Sequence, residues 1–486
     1  MKKTIILFSV ITIIQLGVFN LSAQQKTASK DLYSKIDTYL TASTKNGFAG
    51  AIAVVKNGKT IINKGYGMAN KDTQTLNNPN TIFDIGSNTK QFTSTAILKL
   101  VELGKLKLTD SLGAFFKNLP LKKQSITIHQ LLTHSAGFNR AFGGDFQEIS
   151  RTDFFDELFA SELLFKPGTS YSYSNTGYSI LARVIELTSL QSYEAFLNDY
   201  LFTPAGMQQT GYLLPKWDTL QISHGYYNNV IDKGTMISRY QETGDVTWHL
   251  KGNGGINSTQ NDMLLWYKAL KENKIVTKES FRKLTTAHIS NPEEASDYGY
   301  GWAVKKSEKY SLRIYHNGGN GTFSHSIIWY PKDDIYVVYA TNASSSKVEW
   351  LAYRIANIVL NENYYPKPIK ENVYSYIMSY INQHSTDKSN KLLTLIQENY
   401  PDNSSSSRLL NTTGNVLLRL NENLDWALEL FIINVQRHPN DGNLWDSLGD
   451  GYKANNQKED AIKSYQKAIK LGYKDSQGKL TELIKD

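Results

Sequence analysis

A serine and a lysine three residues apart, Ser87 and Lys90, form the strongest chemical signal in the sequence. They stand at the start of a predicted helix, where this spacing puts both side chains on one face. A serine hydroxyl is a poor nucleophile until a neighbouring base takes its proton, and a lysine in a partly desolvated pocket can be that base. N–H groups at the start of the helix can stabilise a developing oxyanion. The pair therefore indicates nucleophilic catalysis, with Ser87 as the nucleophile and Lys90 as its base.

The serine–lysine spacing alone is not specific, and its surroundings distinguish Ser87 from other serines. A glycine precedes Ser87, and apolar residues follow at helical spacing from Thr89 to Leu103. A second pair, Tyr173 and Asn175, lies downstream in a loop rich in Ser and Tyr that enters another predicted helix. The same spacing also occurs where ordinary surface chemistry is the simpler interpretation, at Ser280, Ser344, Ser385, Ser464 and Ser476.

Other kinds of catalytic or cofactor site have little support. The sequence contains no G-x-S-x-G nucleophile elbow, no H-E-x-x-H zinc helix and no phosphate-binding P-loop. A glycine-rich string at residues 317–321 follows a predicted strand but precedes another strand-like segment, whereas a dinucleotide site needs a helix there. His129 and His134 have no metal-ligand spacing and are interpreted as structural. We therefore expect neither a cofactor nor a metal.

Two regions of predicted strands enclose a helical middle part of the chain. Near the N-terminus, the apolar residues 48–55 precede the turn Asn57-Gly58, which is typical of a β-hairpin with residues 60–62 as its second strand. Later strands are predicted at 311–315, 326–330 and 335–340, and helices at 31–44 and 347–360. We expect one sheet closed by distant parts of the chain, with a helical insertion between them.

The pattern changes after Tyr364, where no further strand is predicted and the chain becomes helical with polar loops. Ala461 and Tyr465 recur 34 residues earlier as Ala427 and Phe431, which is the period of a tetratricopeptide unit. Small residues let two antiparallel helices approach closely, and aromatic residues fill the gap between them. We therefore predict an all-α tetratricopeptide-like tail. The other matching positions are Pro439, Trp445, Leu448, Gly449, Tyr452 and Ala468, with residues 476–485 as a polar cap.

Taken together, the motifs resemble those of the serine β-lactamase-like family, which includes class C β-lactamases, D-Ala-D-Ala peptidases of the penicillin-binding-protein type, D-aminopeptidases and esterases. The first motif matches at Ser87 and Lys90, and the second at Tyr173 and Asn175. The third, a basic residue-x-Gly on a strand, matches at His316-Asn317-Gly318. Supporting matches are residues 131–137, 254–259 with Asp262, and 298–302. The resemblance covers about residues 30–360 and implies an α+β domain. In such a domain an antiparallel sheet is flanked by helices, and the active site lies between it and an inserted helical domain.

The resemblance also implies a role for each matching residue. Ser87 would be acylated by a substrate carbonyl, and Lys90 would accept its proton. Tyr173 would be a second base and would activate the hydrolytic water. Asn175 would hold Lys90 in place and hydrogen-bond the substrate amide. The implied substrate-binding and oxyanion-hole residues are Asn175, His316, Gly318 and Gly319, with the backbone N–H groups of Ser87 and Gly319 forming the hole.

The third motif departs from the family pattern at two positions. β-Lactamases of the family usually carry Lys where this chain has His316, and often a hydroxyl residue where it has Asn317. A neutral imidazole attracts a substrate carboxylate far less than an ammonium group does. Family members with His-x-Gly tend to be peptidases acting on D-residues, or esterases. The resemblance therefore favours those activities over β-lactam hydrolysis.

The N-terminal residues predict export. Lys2 and Lys3 precede an apolar stretch at residues 5–18, and Leu21-Ser22-Ala23 is a small-residue cleavage site, so residues 1–23 are interpreted as a signal peptide. The apolar stretch is short for a membrane span, so we expect no membrane-spanning segment after cleavage. The alternative is that the signal segment is not cleaved and anchors the protein in the membrane. We expect a periplasmic or secreted protein. The expected domains are a hydrolase at 29–362, a linker at 363–371 and a helical tetratricopeptide-repeat domain at 372–486.

The composition excludes several other classes of protein. The 486 residues include no Cys, which rules out disulfides, a cysteine nucleophile and thiolate metal sites. The net charge of +8 is mild and no basic run occurs, so we expect no nucleic-acid partner. The leading hypothesis is an exported serine hydrolase acting on small esters or D-amino-acid peptides. The alternatives are a penicillin-hydrolysing class C-type β-lactamase and a catalytically silent penicillin-binding-like module that recruits a protein partner through its C-terminal repeats.

Overall fold

The computed structural model describes residues 30–217, 221–227, 229–306, 312–345, 348 and 350–485. The described residues form two compact units, the first within Met1–Tyr227 and Asp232–Ile369 and the second within Asn228–Ile231 and Lys370–Asp486. The predicted signal peptide, residues 1–23, lies outside the described residues. Among the described residues, no helix is both long enough and apolar enough to cross a membrane.

The first unit is built on one antiparallel sheet. In chain order the strands are β1 (Gly50–Lys56), β2 (Lys59–Tyr66), β3 (Met68–Asn70), β4 (Thr75–Leu76), β5 (Phe83–Asp84), β6 (Tyr226–Tyr227), β7 (Ile231–Asp232), β8 (Asn257–Ser258), β9 (Ile289–Asn291), β10 (Ser296–Tyr298), β11 (Ala303–Lys305), β12 (Arg313–Gly319), β13 (Ser324–Tyr330) and β14 (Ile335–Thr341). Eight of them form the main sheet in the order β2-β1-β14-β13-β12-β11-β10-β9. Gly50 of β1 pairs with Thr341 of β14, so distant parts of the chain close the sheet.

Helices cover the sheet and fill the chain between its two halves. They are α1 (30–44), α2 (Thr89–Glu102), α3 (Leu121–Gln124), α4 (Ile128–Leu132), α5 (Arg151–Ala160), α6 (Asn175–Ser189), α7 (Tyr193–Leu197), α8 (Thr203–Ala205), α9 (Met236–Thr243), α10 (Gln260–Lys271), α11 (Lys278–Thr285) and α12 (Leu351–Leu360). The predicted α+β fold class, an antiparallel sheet with helices and a helical insertion, is confirmed.

Both faces of the sheet are buried, which explains why its central strands are continuous apolar runs. Successive side chains of a strand point to opposite faces. Along β1, Ala51 and Ala53 belong to one hydrophobic core, which also holds residues of α2 and α10. Ile52 and Val54 belong to the other core, which holds residues of α1 and α12. The sheet therefore gives α2 a rigid support directly beneath the predicted nucleophile.

Local sequence explains the hairpin at one edge of the sheet but not the length of β12. The predicted turn Asn57-Gly58 joins β1 to β2, and both residues have the positive φ, 53° and 71°, that such a turn requires. In contrast, β12 continues to Gly319, beyond the strand expected at 311–315, because Gly318 and Gly319 pair with β13. Glycine weakens a strand locally, so only the cross-strand partner extends it.

The second unit is helical. Its helices are α13 (Val373–Ile381), α14 (Ser389–Asn399), α15 (Pro401–Ser404), α16 (Ser407–Leu420), α17 (Leu424–Arg437), α18 (Gly442–Ala454), α19 (Lys458–Lys470) and α20 (Ser476–Lys485). Small residues face large rings between neighbouring helices: Gly414 and Gly451 lie against the Phe431 ring, and Gly449 against the Tyr465 ring. The helical character is confirmed. The tetratricopeptide assignment, the domain limits and a partner on the repeats stay predictions.

Candidate active site

Ser87 lies in a tight turn directly before α2. Residues Gly86–Asn88 form a single 3-10 turn, and Thr89 starts the α-helix. Gly86 has a φ of 52°, in the left-handed region that favours glycine. The buried Asp84 carboxyl accepts a hydrogen bond from the Gly86 N–H at 2.5 Å, and burial raises its pKa to about 7. Asp84 therefore organises the turn, whose first N–H groups have no acceptor within the helix.

Lys90 is fully buried, and its amine contacts Ser87. Its Nζ lies 3.1 Å from Ser87 Oγ, 2.8 Å from Asn175 Oδ1 and 2.7 Å from the carbonyl oxygen of Asn253. The last two are pure acceptors, and an uncharged amine has two N–H donors for them and one lone pair. Burial also lowers the pKa of Lys90 well below its usual value. A neutral Lys90 satisfies all three contacts when the Ser87 hydroxyl donates to its lone pair, as a nucleophile does to its base.

Tyr173 stands beside Lys90, in the loop that enters α6. Its ring centroid lies 4.8 Å from Lys90 Nζ. Ser174 caps the N-terminus of α6, and Asn175 is the first residue of that helix. Burial raises the pKa of Tyr173, and this effect exceeds the lowering caused by its contact with Ser87. The phenol is therefore protonated at neutral pH, so Tyr173 can take up one proton only as it passes its own proton on.

An imidazole packs against the Tyr173 ring. The ring centroids of His134 and Tyr173 are 4.3 Å apart, and His134 Nδ1 accepts a hydrogen bond from the Ser174 N–H at 3.0 Å. The histidine thus positions the loop that carries Tyr173. His129, the other histidine interpreted as structural, lies 2.8 Å from the Tyr300 hydroxyl through its Nδ1.

The end of β12 packs backbone to backbone against the Ser87 turn. A Cβ added at Gly318 would lie 2.2 Å from the Ile85 carbonyl oxygen and 2.7 Å from the Ser87 nitrogen. One added at Gly86 would lie 2.4 Å from the Gly319 nitrogen. Only glycine permits this approach. It brings the backbone of Gly319 next to that of Ser87, as the predicted oxyanion hole requires.

His316 is buried in β12 and uncharged. Its Nδ1 donates to the Asn317 carbonyl oxygen at 2.7 Å, and its Nε2 lies 3.1 Å from the Tyr298 hydroxyl, which can donate to it. Burial, with a smaller effect of Lys90, lowers the pKa of His316 to about 3. Both nitrogens thus have partners in the neutral form. His316 brings no positive charge to the site at neutral pH.

The candidate residues meet at one cleft of about 340 Å³. Lys90 and Asn175 do not line the cleft. Lys90 lies behind Ser87, within hydrogen-bond distance of its hydroxyl, and Asn175 accepts a hydrogen bond from Lys90. The structure therefore brings together all the sequence-predicted site residues, from α2, the loop before α6 and β12. Those that line the cleft are Ser87, Tyr173, His316, Gly318 and Gly319. Their catalytic roles stay predictions.

Sequence reasoning missed several neighbours of these residues. Asn253 contributes only a backbone carbonyl, which any residue type has. In the sequence, only its position directly before Gly254-Gly255 could have indicated that it lies near the site. Arg140 lines the cleft, as do Glu293 and Glu294. In the sequence, nothing distinguishes such loop charges from solvated surface residues.

A larger cavity, of about 950 Å³, lies elsewhere in the first unit, and several of its charged groups have structural partners. Glu194 Oε1 accepts hydrogen bonds from the backbone N–H groups of residues 212–214. Glu186 pairs with Arg183, and Lys251 with Asp245. We therefore place the chemistry in the smaller cleft, which is lined by the nucleophile Ser87, with the base Lys90 hydrogen-bonded behind it.

Buried histidines make the first unit sensitive to acid. Burial lowers the pKa values of His316 and His325 to about 3. In the unfolded chain a histidine has a pKa of about 6.5, so below that pH protons bind the unfolded chain more readily than the folded one. The contribution of each buried histidine to the free energy of unfolding is therefore complete above pH 6.5 and is lost as the pH falls toward 3. At pH 5 the loss is about 2 kcal/mol per histidine. Burial raises the pKa of Asp84 to about 7, and this acts in the opposite direction, so the test is a difference between two proteins. Between pH 7 and pH 5 we expect Tm to change less favourably in the wild type than in His325→Met, as measured by circular dichroism.

The control for this prediction is His384→Met, which removes an exposed histidine. His325 is the informative position because neither of its ring nitrogens has a hydrogen-bond partner among the described residues, so the substitution breaks no side-chain bond. A wild-type pH dependence of Tm in His325→Met would contradict the prediction.

Comparisons with known proteins concern the first unit. A family model described as Beta-lactamase matches residues 36–359. The putative penicillin-binding protein PbpX of Bacillus subtilis (strain 168) is 30% identical over 282 residues, which are 58% of this chain and 68% of the relative. The octameric penicillin-binding protein homologue from Pyrococcus abyssi has a TM-score of 0.59 at 25% identity, covering 67% of this chain and 77% of its own. The D-alanine carboxypeptidase AmpC from Burkholderia cenocepacia has a TM-score of 0.58 at 21% identity, covering 68% and 99%, a likeness of fold.

Proposed function

The chain belongs to the β-lactamase family, and on this premise we propose that it is an exported serine hydrolase that forms an acyl-enzyme at Ser87. The contact of 3.1 Å between Lys90 Nζ and Ser87 Oγ carries the proposal, since a buried lysine of lowered pKa can take the serine proton. Export rests on the signal-like residues 1–23 alone.

Acylation starts from the neutral amine of Lys90. Lys90 accepts the hydroxyl proton while Ser87 Oγ bonds to the substrate carbonyl carbon, and the π electrons move to the carbonyl oxygen. The N–H groups of Ser87 and Gly319 hold this oxyanion. The carbonyl then re-forms as the bond to the leaving group breaks, and the leaving group takes a proton that Lys90 returns through Tyr173.

Deacylation repeats these transfers with water. The water oxygen bonds to the acyl carbon while its proton goes to Tyr173, which passes its own phenol proton to Lys90. The bond from the acyl carbon to Ser87 Oγ then breaks, and Lys90 returns the proton to Ser87. This relay suits a tyrosine of raised pKa, because the phenol never carries a full charge.

The charge of the third motif favours esters, and D-amino-acid peptides whose carboxyl end is blocked, over β-lactams as substrates. His316 is neutral, so the strand that edges the cleft attracts the carboxylate of a penicillin only weakly. Proteins of similar fold include a D-alanine carboxypeptidase and a class C β-lactamase, so the fold does not decide between these activities. On the charge of His316 we rank hydrolysis of esters and of D-peptides with a blocked carboxyl end above β-lactam hydrolysis.

Covalent labelling tests the proposal. We expect a fluorophosphonate probe to label the wild-type protein and to leave Ser87→Ala unlabelled. The reason is that the Ser87 hydroxyl has an activating base, Lys90 Nζ, at 3.1 Å. Ser385→Ala is the matched control, since Ser385 also precedes a lysine by three residues. We expect it to be labelled like the wild type.

Turnover assays then separate the alternatives. We expect hydrolysis of a p-nitrophenyl ester or of a D-amino-acid peptide with a blocked carboxyl end, with slower hydrolysis of a cephalosporin. Failure of the wild type to be labelled would overturn the hydrolase proposal. Labelling by a penicillin without turnover of any of these substrates would instead show a binding module.

A further inference from the structure

The charges in the catalytic cleft are unevenly distributed. Two carboxylates, Glu293 and Glu294, line it from the 3-10 turn between β9 and β10. The lining includes one cation, Arg140, whose guanidinium carbon lies 5.4 Å from the centroid of the Tyr173 ring, beside the catalytic residues. The end of the cleft at the β9–β10 turn therefore carries two carboxylates and no cation among the described residues that line it. We call it the acidic end.

The carboxylates of Glu293 and Glu294 have no ion-pair partner within the part of the chain that the structure describes. Glu294 accepts a hydrogen bond of 3.3 Å from the Tyr315 hydroxyl, and both glutamates are exposed. Asn291 also lines the cleft and is 4% exposed, and its Oδ1 has no partner among the described residues. The exposed carboxylates of Glu293 and Glu294 thus offer acceptors without a cationic partner among the described residues, which suit a cation.

Aromatic rings complete the acidic end. Tyr315, Tyr353 and Trp350 line it, and Trp350 is 58% exposed. The faces of aromatic rings attract cations. Two of these rings already contact a cation of the protein itself, Arg313, which does not line the cleft. Its guanidinium carbon lies 4.6 Å from the Tyr315 centroid and 5.3 Å from the Tyr353 centroid. Carboxylates beside aromatic rings are the chemistry that recognises an ammonium group.

Strand β12 sets the distance from the acidic end to the reacting carbonyl. Tyr315 contacts Glu294, and Gly319, four residues further along the strand, lies at the predicted oxyanion hole. Four residues of extended strand span about 13 Å. A group bound by Glu294 therefore lies on the order of 10 Å from the carbonyl carbon that Ser87 attacks.

We propose that the acidic end is a subsite for a cationic group on the acyl part of the substrate, about 10 Å from the scissile carbonyl. This inference rests on the proposed acyl-enzyme function at Ser87. The acyl part stays in the cleft through both steps, so a subsite that holds it contributes to acylation and to hydrolysis. The substrate class is a peptide or ester whose acyl chain carries an ammonium or guanidinium group at that distance.

Two matched p-nitrophenyl esters test the subsite. One is an octanoate with a terminal trimethylammonium group, and the other replaces that group with an uncharged tert-butyl group of the same shape. We expect the wild-type protein to hydrolyse the cationic ester with about tenfold higher kcat/KM, because two unpaired carboxylates and the rings attract it. We expect the double variant Glu293→Gln, Glu294→Gln to lower this ratio by about fivefold, because the rings remain and only the carboxylates are removed.

A charge control and a binding measurement accompany the assay. Glu272→Gln removes an exposed carboxylate that does not line the cleft, and we expect it to keep the wild-type ratio. The amide analogue of the cationic ester, used with calorimetry, measures binding without turnover. We expect about tenfold weaker binding to the double variant than to the wild type.

The outcomes separate the subsite from the function on which it rests. Equal kcat/KM values for the two esters in the wild type, or equal affinities of the amide for the wild type and the double variant, would overturn the subsite. Hydrolysis of both esters no faster by the wild type than by Ser87→Ala would overturn the proposed function. In that case the calorimetric comparison still decides whether the acidic end binds the cation.

Discussion

Replacement of Lys90 by alanine is expected to lower kcat/KM for an ester substrate by more than about a hundredfold. The Nζ of Lys90 lies 3.1 Å from Ser87 Oγ, and Asn175 and Asn253 hold it there. Without it, the serine proton loses its proposed acceptor, and a protonated Tyr173 cannot replace it unless it passes its own proton on. Steady-state hydrolysis of a p-nitrophenyl ester measures the loss, and the rate of fluorophosphonate labelling reports the acylation step separately.

Two further variants make the Lys90 result specific. Lys90→Arg retains a long cationic side chain, but a guanidinium group is not deprotonated in proteins, so we expect a comparable loss. Lys105→Ala removes an exposed amine just beyond α2, and we expect wild-type activity. If Lys90→Ala keeps activity within about tenfold of the wild type, another group is the base.

We expect kcat/KM to increase with pH, because the reaction needs the neutral amine of Lys90. The active form has a neutral amine, so activity rises with pH as Lys90 loses its proton and falls as the pH drops below its pKa. Since burial lowers that pKa, the rise occurs at lower pH than it would for an exposed lysine. His316, with a pKa of about 3, adds no step between pH 5 and pH 8.

The second large effect is expected from Gly318→Ala, which should lower kcat/KM by more than about a hundredfold. The added Cβ would lie 2.2 Å from the Ile85 carbonyl oxygen and 2.7 Å from the Ser87 nitrogen. Both neighbours are backbone atoms, so β12 must move away from the Ser87 turn. That movement separates the N–H groups of Ser87 and Gly319, and loss of one oxyanion donor costs about a hundredfold or more.

The control for Gly318 is Gly144→Ala, because a Cβ added there meets no atom within 4 Å. We expect Gly144→Ala to retain activity and Tm. For Gly318→Ala we expect a folded protein by circular dichroism that reacts slowly with the fluorophosphonate probe. Wild-type labelling of Gly318→Ala would mean that the oxyanion is held elsewhere.

Much of the fold follows from local patterns in the sequence. The turn Asn57-Gly58 specifies the β1–β2 hairpin because both residues readily adopt positive φ. Strands buried on both faces are recognisable as apolar runs, and α2 as apolar residues at helical spacing. The extent of β12 was not predictable, because Gly318 and Gly319 join the strand only through their pairing with β13.

For the site, residue types and short spacings already indicate which residues could react, whereas their protonation states and surroundings depend on how distant segments pack. Ser87 and Lys90 are neighbours by helical spacing, so their contact is a local property of the chain. The state of Lys90 depends on burial and on the Asn253 carbonyl, 163 residues away in the chain. The contact of Gly318 with the Ser87 turn and the place of Glu293 and Glu294 in the cleft likewise depend on tertiary packing. Side-chain type and short spacing are encoded locally, whereas desolvation, backbone approach and charge in a cleft arise only when distant segments pack together.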